Sequence, residues 1–299
     1  MKLNLVKNGK YLLLLSLLLL LIGIVFIGIF GLKFGIDFTG GTVLTYSTTK
    51  PITQKQILSG IDQKKYSPIF ILHTNTNTYS ITTKPTSQTE LQALELQLNK
   101  NFQVKTYQSV QATGPVIGKE LQQNAVKAIL IASIAIIFYI AYAFRHVPRP
   151  VSSWTFGVTA VLAMVHDVFI VLGAFAILGY FFDARIDSLF VTAVLTVIGF
   201  SVHDTIVVFD RIRENLGKSL GSSFEDIVNA SLVETLARSI NTSLTVIFTL
   251  LALFLLGGES IRWFVLTLLI GITSGTYSSI FVTSQLLVLY ERFKLKKQI

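Results

Sequence analysis

Six stretches of the chain run for 17 residues or more with almost no charge, and they alternate with polar segments of very unequal length. Residues 11–32 carry no charged side chain and follow Lys2, Lys7 and Lys10; residues 128–144, 150–182, 188–208, 239–258 and 263–290 repeat the pattern. A helix crossing the hydrocarbon core needs about 20 apolar residues, with a range of roughly 17 to 25. The pattern therefore predicts six membrane-spanning helices. The first run exceeds the apolar region of a cleaved signal peptide, about 7 to 15 residues, and no small-residue cleavage site follows it, so it reads as an uncleaved first span.

The longest polar segment, residues 33–121, separates the first two spans. Its Thr-, Tyr- and Ile-rich runs at 42–47, 69–72, 78–82 and 102–109 read as strands. Residues 53–64 and 88–99 read as helices, the second with Leu91, Leu94, Glu95 and Leu98 at helical spacing. Strand, helix, two strands, helix and strand make a small ferredoxin-like α+β domain. Residues 210–238 read as a helical hairpin with Gly217 and Gly221 at its turn and Phe224, Ile227, Val228, Leu232 and Leu236 as its apolar stripe. The chain thus divides into a tail and first span (1–32), the α+β domain (33–121), spans two to four (122–209), the hairpin (210–238), and spans five and six with a basic tail (239–299).

Composition agrees with a polytopic α-helical membrane protein: 52% of residues are hydrophobic and 14% charged, against about 25% charged in soluble domains. The net charge of +9 does not point to nucleic acid, because the basic residues gather at the edges of apolar runs, beside membrane lipid. Thirteen lie in the segments on the side of the N-terminus, against Arg185 and Arg262 in the two short loops opposite. By the positive-inside rule both termini are cytoplasmic and the α+β domain is extracytoplasmic. With no cysteine there is no disulfide, thiolate nucleophile or Cys-ligated metal. Gly40-Gly41 is too short for a phosphate loop, and no GxxxxGK[ST], HExxH or Gly-x-Ser-x-Gly pattern occurs. No ATPase or hydrolase chemistry, metal or cofactor is expected.

The candidate chemistry lies in two dipeptides inside spans, His166-Asp167 in the third and His203-Asp204 in the fourth. A charged Asp near the bilayer centre costs about 2.5 to 3.5 kcal/mol on insertion scales, so two of them need a reason. Asp204 precedes Arg211 by seven residues, about 10 Å of helix, which places it in the inner part of the membrane. Arg238 opens the fifth span from the same side, and Asn241, Thr242, Thr245 and Thr249 continue from it at helical spacing. A carboxylate and a guanidinium at similar depth are expected to pair, and protonating Asp204 would then release Arg238. Asp167, about 27 Å of helix beyond Arg149, reads either as an upper station of the same proton path or as a packing device. The histidines read as hydrogen-bonding groups across a helix interface more readily than as proton carriers. Gly271, Gly275 and Ser279, at four-residue spacing in the last span with Ser274 and Ser278 beside them, read as a close-packing stripe.

These motifs resemble the SecF members of the SecD/SecF family of protein translocase subunits. The resemblance rests on GIDFTGGT after the first span, with Asp37, Gly40 and Gly41; on His166-Asp167; on GFSVHDT running into VVFDRIREN in the fourth span; and on RSINTS from Arg238. It covers nearly the whole chain and departs at Phe200 and His203, where the family more often has Tyr and Asn. It implies half of a transporter of the resistance–nodulation–division superfamily, completed by a six-helix SecD partner. It implies work beside the SecYEG channel, with YajC and YidC as further partners, in the bacterial inner membrane. There the proton motive force would complete preprotein export after the ATP-driven SecA step, with Asp204 and Arg238 conducting protons. The alternative is a proton antiporter of the same superfamily for small molecules or lipids, which would ordinarily need large apolar outer clefts.

Overall fold

A computed structural model describes residues 4–67, 70–75, 77–148, 151–218 and 222–296. Lys2, Ile69, Arg149, Pro150 and Gly221, which entered the sequence reading, lie outside the described residues. The chain divides into two compact units, one of Met1–Lys33, Lys127–Arg185 and Leu189–Ile299, the other of Phe34–Val126 with Ile186–Ser188.

In chain order, α1 (Leu5–Phe30) is followed by α2 (Ile36–Thr39), β1 (Gly41–Thr48), α3 (Gln54–Ser59), α4 (Gln63–Tyr66), β2 (Phe70–Asn75), β3 (Thr78–Thr83), α5 (Gln88–Phe102) and β4 (Val104–Thr113). Then come α6 (Pro115–Ala143), α7 (Ser153–Phe182), α8 (Ser188–Lys218), α9 (Phe224–Leu256), α10 (Arg262–Tyr277), a π-helical turn (Ser278–Val282) and α11 (Thr283–Lys296).

The polar unit is the expected α+β module. Its four strands pair antiparallel in the order β2-β3-β1-β4, so β3 is inserted between β1 and β2, as a ferredoxin-like split βαβ unit requires. Alternate residues of β1 and β3 turn to one face, where Leu44, Tyr46, Tyr79 and Ile81 pack with Ile57, Leu94 and Leu98 of the helices. The helix expected over 53–64 is two helices. The first ends at Gly60, whose missing Cβ leaves room for the Phe102 ring, which a Cβ would meet at 2.3 Å, and Asp62 caps the restart by accepting from the Lys64 and Lys65 N–H groups. Ser87 and Glu90 form a capping box at the start of α5. The hydrogen bonds from the Ser87 backbone and hydroxyl hold the Glu90 carboxyl below its ordinary range.

Six helices of the described chain are long and apolar enough to cross a membrane. The second begins at Pro115, well before the apolar run at 128, because proline suits the first helical position and the polar residues after it lengthen the helix. The hairpin of 210–238 is not a separate element: α8 runs on to Lys218 and α9 starts at Phe224. Ile227, Val228 and Leu232 of its apolar stripe are buried, while Arg211 bridges Glu214 and Glu234 on the polar side.

Close packing within the apolar unit depends on small residues. Glycines 23 of α1 and 173 of α7 face one another so closely that a Cβ on Gly173 would lie 2.5 Å from the Gly23 Cα. Gly271 of α10 lies against Val197 of α8, whose side chain a Cβ would meet at 2.3 Å. Phe144, Phe156 and Phe209 bring the end of α6 together with α7 and α8 in a buried aromatic cluster. Without a hydrophobic difference between side chains and lipid tails, such intimate contact is what holds membrane helices together.

Candidate functional site

Asp167, 1% exposed, is the centre of the polar network inside the helical unit. Its Oδ2 accepts hydrogen bonds from the hydroxyls of Ser201 (2.7 Å, from α8) and Ser278 (2.6 Å, from the π turn). Its Oδ1 accepts from Ser274 of α10 at 2.9 Å and lies 3.1 Å from Nδ1 of His166. Two donors per oxygen match the roughly four lone-pair positions of a carboxylate. On the other side of the imidazole, Nε2 lies 2.5 Å from the Ser16 hydroxyl of α1. A ring proton on Nδ1 donates to Asp167 and leaves Nε2 to accept from Ser16, which satisfies all three groups.

The local sequence explains why these groups meet. Gly23 and Gly173 bring α1 and α7 into backbone contact, and seven residues earlier on each helix stand Ser16 and His166. Seven residues is close to two full turns, so both pairs lie on the same faces. On α10, Gly275 does the same for α8: a Cβ there would lie 3.0 Å from the Ser201 Cβ.

Asp204, 5% exposed, is one step away in the same network. Its Oδ2 accepts from the Ser279 hydroxyl at 2.7 Å. Ser278 and Ser279 are consecutive, so adjacent residues of the π turn serve the two carboxylates, which lie on different helices. A π turn adds a residue to the helix, aims side chains out of α-helical phase and often occurs at functional positions.

The expected ion pair of Asp204 with Arg238 is absent. Arg238 is exposed on α9 and makes no ion pair with any described residue. Depth along the membrane follows from the helix rise, but direction around the axis does not. The buried face of α9 is carried by Ser231, Thr235, Ser239 and Ser243, and Arg238 lies about 100° away from Ser239. Asn241, Thr242, Thr245 and Thr249 share the exposure of Arg238. Thr245 and Thr249 return their hydroxyls to their own helix, on the carbonyls of Thr242 and Thr245. His203 is also exposed, on the other side of α8 from the serine network. Among the described residues no three His, Asp or Glu side chains gather to hold a metal ion.

Gly271, Gly275 and Ser279 do pack against α8, the last through its bond to Asp204. In the α+β unit, Gly40 and Gly41 adopt φ of 71° and 149°, and the Asp37 carboxylate accepts from the backbone and hydroxyl of Ser188. Neither Ser16 nor Ser201, the latter within the GFSVHDT motif, stands out from the sequence as a partner of Asp167 or His166. Ser16 was legible in principle, as the lone hydroxyl among the leucines of 12–21, spaced seven residues from a glycine.

The family described as protein export membrane protein SecD/SecF, C-terminal, matches residues 93–293, and the SecD/SecF GG motif matches residues 25–52. The protein translocase subunit SecF of Thermobaculum terrenum is 47% identical over 290 residues, covering 93% of this chain and 90% of that protein. Its counterpart from Anaerolinea thermophila is 39% identical over 281 residues, covering 92% and 90%. The crystal structure of SecDF from Thermus thermophilus, a translocon-associated membrane protein, matches at a TM-score of 0.87 and 33% identity over 98% of this chain. This chain spans 39% of that longer one.

Proposed function

The chain belongs to the SecD/SecF family of protein export membrane proteins, and from that membership we propose that it works as the SecF-type subunit of a SecDF translocase. In this reading it resides in the bacterial cytoplasmic membrane with both termini inside. With a SecD partner, beside the SecYEG channel, it uses the proton motive force to complete preprotein export after the ATP-driven step.

The observation that carries the reading is Asp204: a carboxyl group buried inside a helix apolar enough to cross a membrane, whose hydrogen bond, among the described residues, comes from one serine hydroxyl. Asp167 has all four acceptor positions engaged and acts as a cross-link between α7, α8 and α10. Asp204, with fewer described donors, is the carboxyl assigned here to proton exchange. The exposed Arg238 face supports a second half of the transporter, because an arginine facing lipid alone is costly, and a polar helix face is covered most cheaply by another polar helix. A proton crossing the full field yields about 2.3 kcal/mol per 100 mV, enough to bias a two-state equilibrium by more than tenfold.

The test is Asp204→Asn in vesicles containing the full complex and a preprotein halted after the ATP step. The variant is expected to abolish gradient-driven completion and leave ATP-driven entry unchanged. Undiminished completion would remove Asp204 from the mechanism.

A further inference from the structure

The Asp37 carboxylate has no part in the network around Asp167, yet its position is tightly determined. Its Oδ2 accepts the backbone N–H of Ser188 at 2.9 Å and also the Ser188 hydroxyl. Ser188 is the first residue of α8, and the first N–H groups of a helix have no partner within it. A carboxylate there satisfies a donor and meets the positive end of the helix dipole. Here it comes from a residue 151 positions earlier.

The segment that presents Asp37 is clamped. The Gly35 N–H donates to the Ile186 carbonyl at 2.7 Å, and Phe34 and Ile186 form a parallel bridge. A Cβ on Gly118 of α6 would lie 2.9 Å from the Phe38 carbonyl oxygen. Gly40 and Gly41 take left-handed φ values, and a Cβ on Gly41 would lie 2.8 Å from the Thr83 carbonyl oxygen. The two glycines therefore fix where β1 begins relative to Asp37.

We propose that Asp37 is a positioning residue that ties the first turn of α8 to the α+β unit, so that a displacement of that unit is delivered to the helix bearing Asp204. The inference rests on the proposed role of Asp204, which lies sixteen residues, about 24 Å, further along α8. Asp37 acts as an acceptor and not as a proton carrier, so a neutral acceptor of the same shape should serve.

The experiment uses the full chain with its SecD-type partner, reconstituted in vesicles, with Asp37→Asn, Asp37→Ala, Ser188→Pro and the Asp37→Ala/Ser188→Pro double variant. Proline fits the first turn of a helix while removing both donors to Asp37. Two readouts are taken: gradient-driven completion of export, and the rate at which a hydrophobic carbodiimide modifies Asp204, located by peptide mass spectrometry. Asp37→Asn should stay within about twofold of the parent on both, since Asn caps nearly as well as Asp. Asp37→Ala and Ser188→Pro should each reduce completion roughly five- to tenfold, the size of a lost cap, and should change Asp204 modification in the same direction. The double variant should be no worse than either single one. Full activity of Asp37→Ala, equal loss in Asp37→Asn, additive losses in the double variant, or lost export with unchanged Asp204 modification would each overturn the proposal. An active Asp204→Asn would instead refute the proton role of Asp204, and modification at Asp204 would still report whether Asp37 positions α8.

Discussion

If Asp167 is a cross-link, the serines around it should lose their value when it is removed, and the structure says which should lose most. Ser201 has its hydroxyl on Asp167 and no other described acceptor, whereas Ser278 also reaches the Gly275 carbonyl at 3.1 Å. In soluble proteins a hydrogen bond to a charged group is worth about 1.5–3 kcal/mol. Double-mutant cycles between membrane helices average nearer 0.6 kcal/mol and reach about 1.7, because the unfolded chain in lipid also finds partners. The second scale applies here. The coupling between Ser201→Ala and Asp167→Ala should be about 1 to 1.5 kcal/mol, and that between Ser278→Ala and Asp167→Ala about half as much. The assay is reversible unfolding of the purified complex in mixed micelles, followed by circular dichroism, for the parent, both singles and the double. The cycle cancels the cavity left by truncating Asp167, which appears in both backgrounds. Coupling within about 0.3–0.5 kcal/mol of zero, the scatter of independent sites, would refute the network. So would a larger value for Ser278 than for Ser201. Asp167→Asn, which keeps an acceptor in place, should leave gradient-driven export intact; its loss would make Asp167 a second station on the proton path.

Two further outcomes follow from the packing and the surface. Gly271→Leu should destabilise the helical unit by about 1–3 kcal/mol, seen as a lower unfolding midpoint in the same micelle assay, because its Cβ alone would overlap Val197; an unchanged midpoint would refute the α8–α10 contact. At the end of α7, burial raises the Asp183 carboxyl, but Lys33 and Arg185 together more than offset it and hold it below its ordinary value. Such a group stabilises the fold above its unfolded pKa, and that contribution fades as pH falls through the lower folded value. Asp183→Asn should therefore flatten the acid limb of the stability profile below about pH 4, by a small amount because the side chain is over a third exposed. A parallel shift at every pH would refute the assignment.

The fold was legible because its determinants are periodic. Six apolar runs set the spans, and alternating Thr, Tyr and Ile set the strands, down to the β3 insertion between β1 and β2. What the sequence reading placed differently depends on single contacts that leave no period. Gly60 leaves room for the Phe102 ring at the point where α3 ends. Ile186–Ser188 joins the α+β unit through a bridge to Phe34 and a bond to Asp37, both made to residues far away in sequence. Arg238 shows the same distinction within the site. The helix rise carries no information on the direction it faces, which is fixed by which side of α9 packs inward, and that follows from Ser231, Thr235, Ser239 and Ser243 fitting against neighbouring helices.

That distinction also separates the two carboxylates, which look alike in sequence as paired His-Asp dipeptides. Asp167 sits where three serines and a histidine converge, so moving it requires breaking several bonds at once. Among the described residues Asp204 has one serine, and that serine is the immediate neighbour of one that holds Asp167. A change at Asp204 that displaces Ser279 must therefore act on Ser278 through a single peptide unit, within a π turn whose weaker geometry makes it the most adjustable part of the last span. On the proposed reading, the proton is exchanged at the loosely held carboxylate and its effect reaches α7 and α1 through the tightly held one, by way of His166 and Ser16. Stiffening this turn should thus separate proton binding from its mechanical consequence. Deleting one residue within Ser278–Val282 to restore α-helical phase would leave Asp204 titratable but uncouple it from export, and a deletion variant with normal gradient-driven completion would refute the linkage.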